Sequence, residues 1–137
     1  MATCKERWAE HKNSTVKHLR KLWALYQEDS DAYDPDLGSF PEYGLGFDYV
    51  PAHTFTDQPR GYFRYQISWG GPSSEFRFLT ENPRNPRPEI AYAFMDWFDG
   101  YTRRLRGKDL ELLTEIWGAF FEDLAIDAVR HAEDTGG

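Results

Sequence analysis

Residues 61–69 alternate without a break. Phe63, Tyr65, Ile67 and Trp69 take one set of positions and Tyr62, Arg64, Gln66 and Ser68 the other. A period of two is the mark of a strand with one apolar face. Four large side chains on one face must be covered, so the rest of the chain has to bring a layer to lie on them. Gly70-Gly71-Pro72-Ser73 follows and predicts a turn. Phe76 and Phe78 then alternate with Glu75 and Arg77. Pairing Trp69 with Ser74 sets Ile67 opposite Phe76 and Tyr65 opposite Phe78, with Ser68 opposite Glu75 and Gln66 opposite Arg77. Apolar meets apolar and polar meets polar in that register.

Further strands flank this hairpin. Residues 47–50 predict a short strand ended by Pro51. The Pro-rich stretch 82–88 leads to a strand over 89–98. Asp99-Gly100 carries the signature of a two-residue hairpin turn, with a return strand over 101–106. That turn pairs Phe98 with Tyr101 and Asp96 with Arg103. Short connections favour sequential pairing, so the five strands are expected to form a mostly antiparallel meander.

The covering layer comes from the two ends. Trp8, Val16, Leu19, Trp23 and Tyr26 recur at helical spacing, and Thr3 with Glu6 has the spacing of a capping box. This predicts a helix over 3–28, with Asn13-Ser14 the place where two shorter helices would break. Leu113, Ile116, Trp117, Phe120 and Leu124 form the apolar stripe of a final helix, with Asp109 as N-cap and an end near residue 131. The fold class is α+β: a five-stranded, mostly antiparallel sheet flanked by an N-terminal and a C-terminal helix on one face. Its 137 residues suit a single domain, 1–137. Residues 29–46 read as an acidic loop, long enough to be functional or to hold a short turn of helix.

Composition narrows the function classes. Aromatics make up 17% of residues, which excludes a generally disordered chain. No apolar run reaches the roughly 20 residues of a membrane span, and the N-terminus lacks a signal-peptide core, so no membrane partner is expected. A single cysteine, Cys4, precludes an internal disulfide and fits a reducing, cytoplasmic compartment. The net charge is −7, unevenly spread. Residues 1–28 carry +3, 29–60 carry −6, 61–108 carry +3 and 109–137 carry −7.

At 100° per residue, Glu111, Glu115 and Glu122 fall on one face of the final helix. Asp123, Asp127 and Asp134 form a neighbouring acidic stripe. Helical carboxylates one or two turns apart lie roughly 5–11 Å from each other. That interval overlaps the spacing of phosphates on a nucleic-acid strand, so such a row suits another protein's phosphate-binding groove. Asp31, Asp34 and Asp36 of the loop are candidate additions to that partner-binding set. The competing reading is a solvated helix face.

Other constellations point to structure rather than chemistry. His11, His18, His53 and His131 lack the companions of a metal site, so no metal or cofactor is expected. Cys4 has no partner base. Asp96 and Asp99 are accounted for by a cross-strand arginine and a turn. Gly70-Gly71 precedes a strand, whereas a phosphate-cradling loop precedes a helix. Tyr62 and Trp97, with Arg64 and Arg77, outline an RNA-binding sheet face, which two acidic blocks would oppose. Exposed Trp or Tyr on an uncovered sheet face would support a homodimer.

One resemblance runs over residues 47–100. It is carried by Phe47-Asp48-Tyr49-Val50, Thr54-Phe55-Thr56-Asp57-Gln58, Gly61-Tyr62-Phe63-Arg64-Tyr65-Gln66, Ser68-Trp69-Gly70-Gly71-Pro72-Ser73, Glu75-Phe76-Arg77-Phe78 and Asp96-Trp97-Phe98-Asp99-Gly100. In these segments the chain resembles small uncharacterised proteins of bacterial plasmids, phages and integrated mobile elements. The resemblance leaves the N-terminal helix and the acidic loop uncovered, and it transfers no site residue. It implies a setting among accessory genes beside anti-restriction and anti-CRISPR genes, where small acidic inhibitors are common. The expectation is a non-enzymatic inhibitor. Its partner would be a protein with a basic nucleic-acid-binding surface, a defence nuclease or a CRISPR surveillance complex. The alternative is a nucleic-acid-binding regulator using the sheet face and the basic N-terminal helix.

Overall fold

A computed structural model describes residues 4–68, 72–80, 89–96 and 99–135. Helix α1 (Cys4–Glu28) is followed by a short α2 (Phe40–Tyr43), then strands β1 (Gly46–Val50), β2 (Gly61–Ser68), β3 (Ser73–Thr80), β4 (Glu89–Asp96) and β5 (Asp99–Arg104). The chain ends in α3 (Gly107–Ile116), a π-helical turn (Trp117–Phe121) and α4 (Glu122–Thr135). The strands form one antiparallel meander in chain order, the α+β architecture expected.

One sheet face carries the core. Phe47, Phe63, Tyr65, Phe76, Phe78, Ile90, Tyr92 and Phe94 line it, and both ends of the chain pack on it. From α1, Val16, Leu19, Leu22 and Trp23 are buried. α1 is continuous through Asn13-Ser14. Burying one unbroken apolar stripe on the sheet outweighs the modest helix reluctance of those two residues. Thr3, of the capping box, lies outside the described residues.

The π turn has a packing cause. Trp117 lies 5.2 Å from Phe63 and 4.9 Å from Phe78, and Phe121 lies 4.7 Å from Phe47 and from Tyr65. Phe120 turns the other way, 5.1 Å from Phe40 and 5.9 Å from Tyr26. The wider turn lets Trp117 and Phe121 both reach the sheet while Phe120 closes over α2.

Three local expectations are corrected. In the β2–β3 hairpin, Tyr65 pairs with Phe76, Phe63 with Phe78, Gln66 with Glu75 and Arg64 with Arg77, two residues from the expected register. An irregularity between Gln66 and Ser68 absorbs one residue, and Ser68 pairs with Ser74. A shift of two keeps every side chain on its expected face, so the core is unchanged. The turn expected at Gly70-Gly71 and the strand end at Trp69 lie outside the described residues, and Ser73 is already in β3. In the last hairpin, Asp96 pairs with Asp99, Phe94 with Tyr101 and Tyr92 with Arg103. Asp99-Gly100 therefore belongs to β5, and Trp97 and Phe98 lie outside the described residues. Packing decides this register: it sets Tyr101 5.9 Å from Trp8 and buries Leu105, whose N–H bonds to the Ile90 carbonyl. Asp109 does not cap the final helix. Arg106 is the N-cap, and Asp109 sits in the first turn, where its carboxylate meets Lys12 at 2.6 Å and Arg20 at 3.6 Å.

Residues 29–46 are folded. Asp34 and Gly38 form a bridge, and Phe40 of α2 is buried against Trp23. Gly38, at φ +83°, supplies the left-handed turn that closes the bridge. α2 is the short helical turn allowed for in the length of the loop.

Candidate functional site

The carboxylates divide into two populations. Asp48, Glu75, Glu89 and Asp96 of the strands are held by cations, whereas Glu10 and Glu28 of α1, Glu42 and Asp57 are exposed and, among the described residues, make no ion pair. Asp48 receives Arg64 through two hydrogen bonds of 2.9 and 2.6 Å, and that bonding raises the Arg64 pKa. Glu75, 4% exposed, receives Arg77 at 2.9 Å. Glu89 holds both Arg60 and Arg104, at 3.1 and 2.8 Å. Asp96 is met by Arg7 of α1 at 2.7 Å, not by Arg103. Asp48–Arg64 and Glu89–Arg104 join neighbouring strands and Glu75–Arg77 lies along one strand, while Asp96 reaches across to α1.

Asp34, a candidate for partner binding, belongs to this committed group. It is 5% exposed. Its carboxylate accepts Lys21 at 2.8 Å and the N–H groups of Asp36 and Leu37 at 2.9 Å each. Lys21 first, then those two N–H groups, hold the carboxyl below its ordinary range. Its role is to anchor the loop to α1. Glu115 is also engaged, accepting the indole N–H of Trp23 at 2.8 Å.

The second population clusters on the last helices. Glu111, Glu122, Asp123, Asp127 and Asp134 are exposed and, among the described residues, make no ion pair. The π turn also changes their phasing. It inserts about one extra residue into the helical turn, which sets the following positions back by roughly 100°. Glu122 therefore does not continue the face of Glu111 and Glu115. Asp123, Asp127 and Asp134 all lie within α4 and keep their common stripe. Exposed Arg130 borders the stripe, and Ile126, 58% exposed, lies beside it, one helical turn from Glu122, Asp123 and Arg130. A groove of about 260 Å³ lies between the face and the β1 edge, with Phe47, Asp48, Leu124, Asp127 and His131 in its walls.

Local helix stability does not explain Asp134. The last turn of α4 carries no basic residue, so Glu133 and Asp134 sit where the helix dipole disfavours anions. Of the loop candidates, Asp31 and Asp36 are exposed. The Asp31 N–H bonds to the Asp29 carboxylate at 2.9 Å.

The RNA-platform expectation meets a different surface. Tyr62 is 3% exposed, and the Arg77 guanidinium lies over its ring at 4.9 Å. Trp97 lies outside the described residues. Burial raises the Tyr62 pKa. The histidines are spread out: His11 stacks on Phe94 at 4.3 Å, His18 contacts the Tyr43 hydroxyl at 3.2 Å, and His53 sits at φ 65° in a surface loop. Burial and neighbouring Tyr92 push Tyr43 up to about 12. Among the described residues no group of three or more His, Cys, Asp or Glu side chains could hold a metal ion. No helix of the described residues is long and apolar enough to cross a membrane.

Two features escaped the sequence reading. The first is the loop between β1 and β2. The Gln58 side chain ties it by accepting the N–H groups of Thr54 and Phe55 and donating to the carbonyls of Pro51 and Arg60. It leaves Phe55 at 54% exposure. The second is a basic groove between α1 and β5. Its lining comes from residues about a hundred positions apart, which no local pattern connects. No protein-family model, curated protein or solved structure matches the chain.

Proposed function

We propose that this protein is a non-enzymatic inhibitor that works by binding. Its outer α4 face occupies the basic, nucleic-acid-binding surface of a bacterial defence nuclease or CRISPR surveillance complex in the cytoplasm. The observation that carries the reading is the clustering of unmatched carboxylates on α4, whereas those elsewhere are scattered. Asp34, Asp48, Glu75, Glu89, Asp96 and Asp109 are matched by internal cations, whereas Glu122, Asp123, Asp127 and Asp134 stand exposed without one.

Physical chemistry supports this from three sides. Lone exposed carboxylates accelerate encounter with a basic surface, by steering that weakens with salt. An exposed apolar side chain inside a charged rim, Ile126, has the composition of an interface anchor. Rows one and two helical turns apart offer charges at roughly 6 and 10 Å, an interval a phosphate-binding groove can accept. The biological setting of the proposal is the one implied by the resemblance read in residues 47–100, which no family model or known protein bears on.

The test is co-expression with a panel of restriction nucleases and CRISPR complexes, scored by phage or plasmid interference. Relief of interference by the wild type is expected. The combined variant Glu122→Gln, Asp123→Asn, Asp127→Asn and Asp134→Asn is expected to restore interference while melting like the parent. Full inhibition by that variant would sink the mechanism.

A further inference from the structure

The basic groove between α1 and β5 has a volume of about 380 Å³, within the range of small-ligand sites. Lys5, Lys12, Arg103, Arg104 and Arg106 line it against a single carboxylate, Asp109. That carboxylate is already neutralised by Lys12 and Arg20, and Arg104 is held by Glu89. Lys5 and Arg106 have no carboxylate partner among the described residues, and Arg103 meets Tyr101 alone, its hydroxyl at 2.7 Å and its ring at 5.8 Å. In a chain of net charge −7, three uncompensated cations around one cavity are an unmatched electrostatic demand.

The groove also offers flat apolar walls and backbone donors. Trp8 and Tyr101 line it, their rings edge to face at 5.9 Å. The Lys12 ammonium lies 5.7 Å from the Trp8 ring and the Arg103 guanidinium 5.8 Å from the Tyr101 ring, side chains that a base would displace. Trp8 is held in place by its indole N–H, which donates to the Tyr92 carbonyl at 2.7 Å. Arg106 and Asp109 bracket the first turn of α3, so that turn runs along the groove. No side chain caps it. Its free N–H groups add to the positive field.

We propose that this groove binds a mononucleotide. The phosphates lie among Lys5, Arg103, Arg106 and the start of α3, and the base lies against Trp8 and Tyr101. The cations supply charge-assisted hydrogen bonds to phosphate oxygens, and the rings supply contact for a planar base. A mononucleotide fits better than a strand. It matches the cavity in size, and its few charges feel mainly the local cations, because the acidic groups elsewhere are screened beyond about 10 Å at 0.1 M salt.

Calorimetric titration of the full chain tests this with ADP, pyrophosphate, adenosine and a 5′-phosphorylated single-stranded oligonucleotide. ADP is expected to bind saturably with a Kd on the order of micromolar. Pyrophosphate and adenosine should each bind at least about tenfold more weakly. Arg103→Ala and Arg106→Ala should each weaken ADP by about tenfold or more, whereas Lys17→Ala, which removes an exposed cation elsewhere on α1, should change nothing. Trp8→Phe should weaken ADP and adenosine but leave pyrophosphate unchanged. Circular dichroism on each variant verifies the fold. No saturable ADP binding below millimolar concentration overturns the proposal. So does equal loss in Lys17→Ala, or affinity that rises with oligonucleotide length.

Discussion

The sheet with α1, and the outer face of α4, handle the same side chains in opposite ways. On the sheet, carboxylates and guanidiniums meet in fixed pairs, one of them through two hydrogen bonds and one with a buried carboxylate, and their charges cancel within the molecule. On α4 the carboxylates stand a turn or two apart in water, and one apolar side chain, Ile126, stands among them. The difference teaches where charge serves the fold and where it does not. A paired group resists removal because its partner is left behind in a poorly solvated place. An unpaired exposed group can be removed at almost no cost to the fold and stays open to a partner outside the molecule.

Substitutions rank accordingly. Phe121→Ala should cost the most, about 3–5 kcal/mol, since Phe121 joins the π turn to Phe47, Tyr65 and Phe78. Chemical denaturation reads this directly, and a loss under 1 kcal/mol would remove the packing account of the π turn. Glu75→Ala should come next, at roughly 2 kcal/mol, the penalty for a buried pair reduced because Arg77 keeps some contact with water. A neutral Glu75→Ala would erase the distinction between the two carboxylate populations.

Asp34 should reveal itself through pH. Its folded carboxyl titrates below its ordinary value, chiefly through Lys21. The stabilisation is therefore present above the unfolded carboxylate range and is lost as pH falls through the folded value. Lys21 is raised above its ordinary 10.5 by the same bond. That contribution is present below the unfolded value and is lost as pH rises through the folded one. Urea midpoints of the wild type and Asp34→Asn should differ near neutrality and converge at both extremes. Parallel curves throughout would contradict the pairing. The smallest effect belongs to α4. Neutralising Glu122, Asp123 and Asp127 should move stability by no more than about 0.5 kcal/mol. Asp134→Asn alone should stabilise by a few tenths, by relieving the helix C-terminus.

Elements were legible where one period dominated. The 61–69 alternation and the two helical stripes lead to the correct layers, faces and strand order, because burial of large aromatics leaves few arrangements open. Register was less legible. A bulge beside Ile67 and the burial of Leu105 act through contacts that no single strand contains, and Asp99-Gly100 illustrates a turn signal overruled by packing on α1. The α4 stripe of Asp123, Asp127 and Asp134 could be read because it lies within one regular helix. The link from Glu115 to Glu122 could not, because a π turn leaves no mark in a 3.6-residue pattern. Asp34 looked like its neighbours in the acidic loop. Its burial and its bonds to Lys21 and to the Asp36 and Leu37 N–H groups separate it from them.

The account rests on unpaired carboxylates acting as a docking surface, and one measurement addresses it most directly. Affinity for an inhibited defence complex should be measured across salt for the wild type and for the variant neutralised at Glu122, Asp123, Asp127 and Asp134. The wild type should bind more tightly as salt falls, and the variant should bind about a hundredfold more weakly with a flattened salt dependence. Equal affinity and equal salt slope in the two proteins would contradict it.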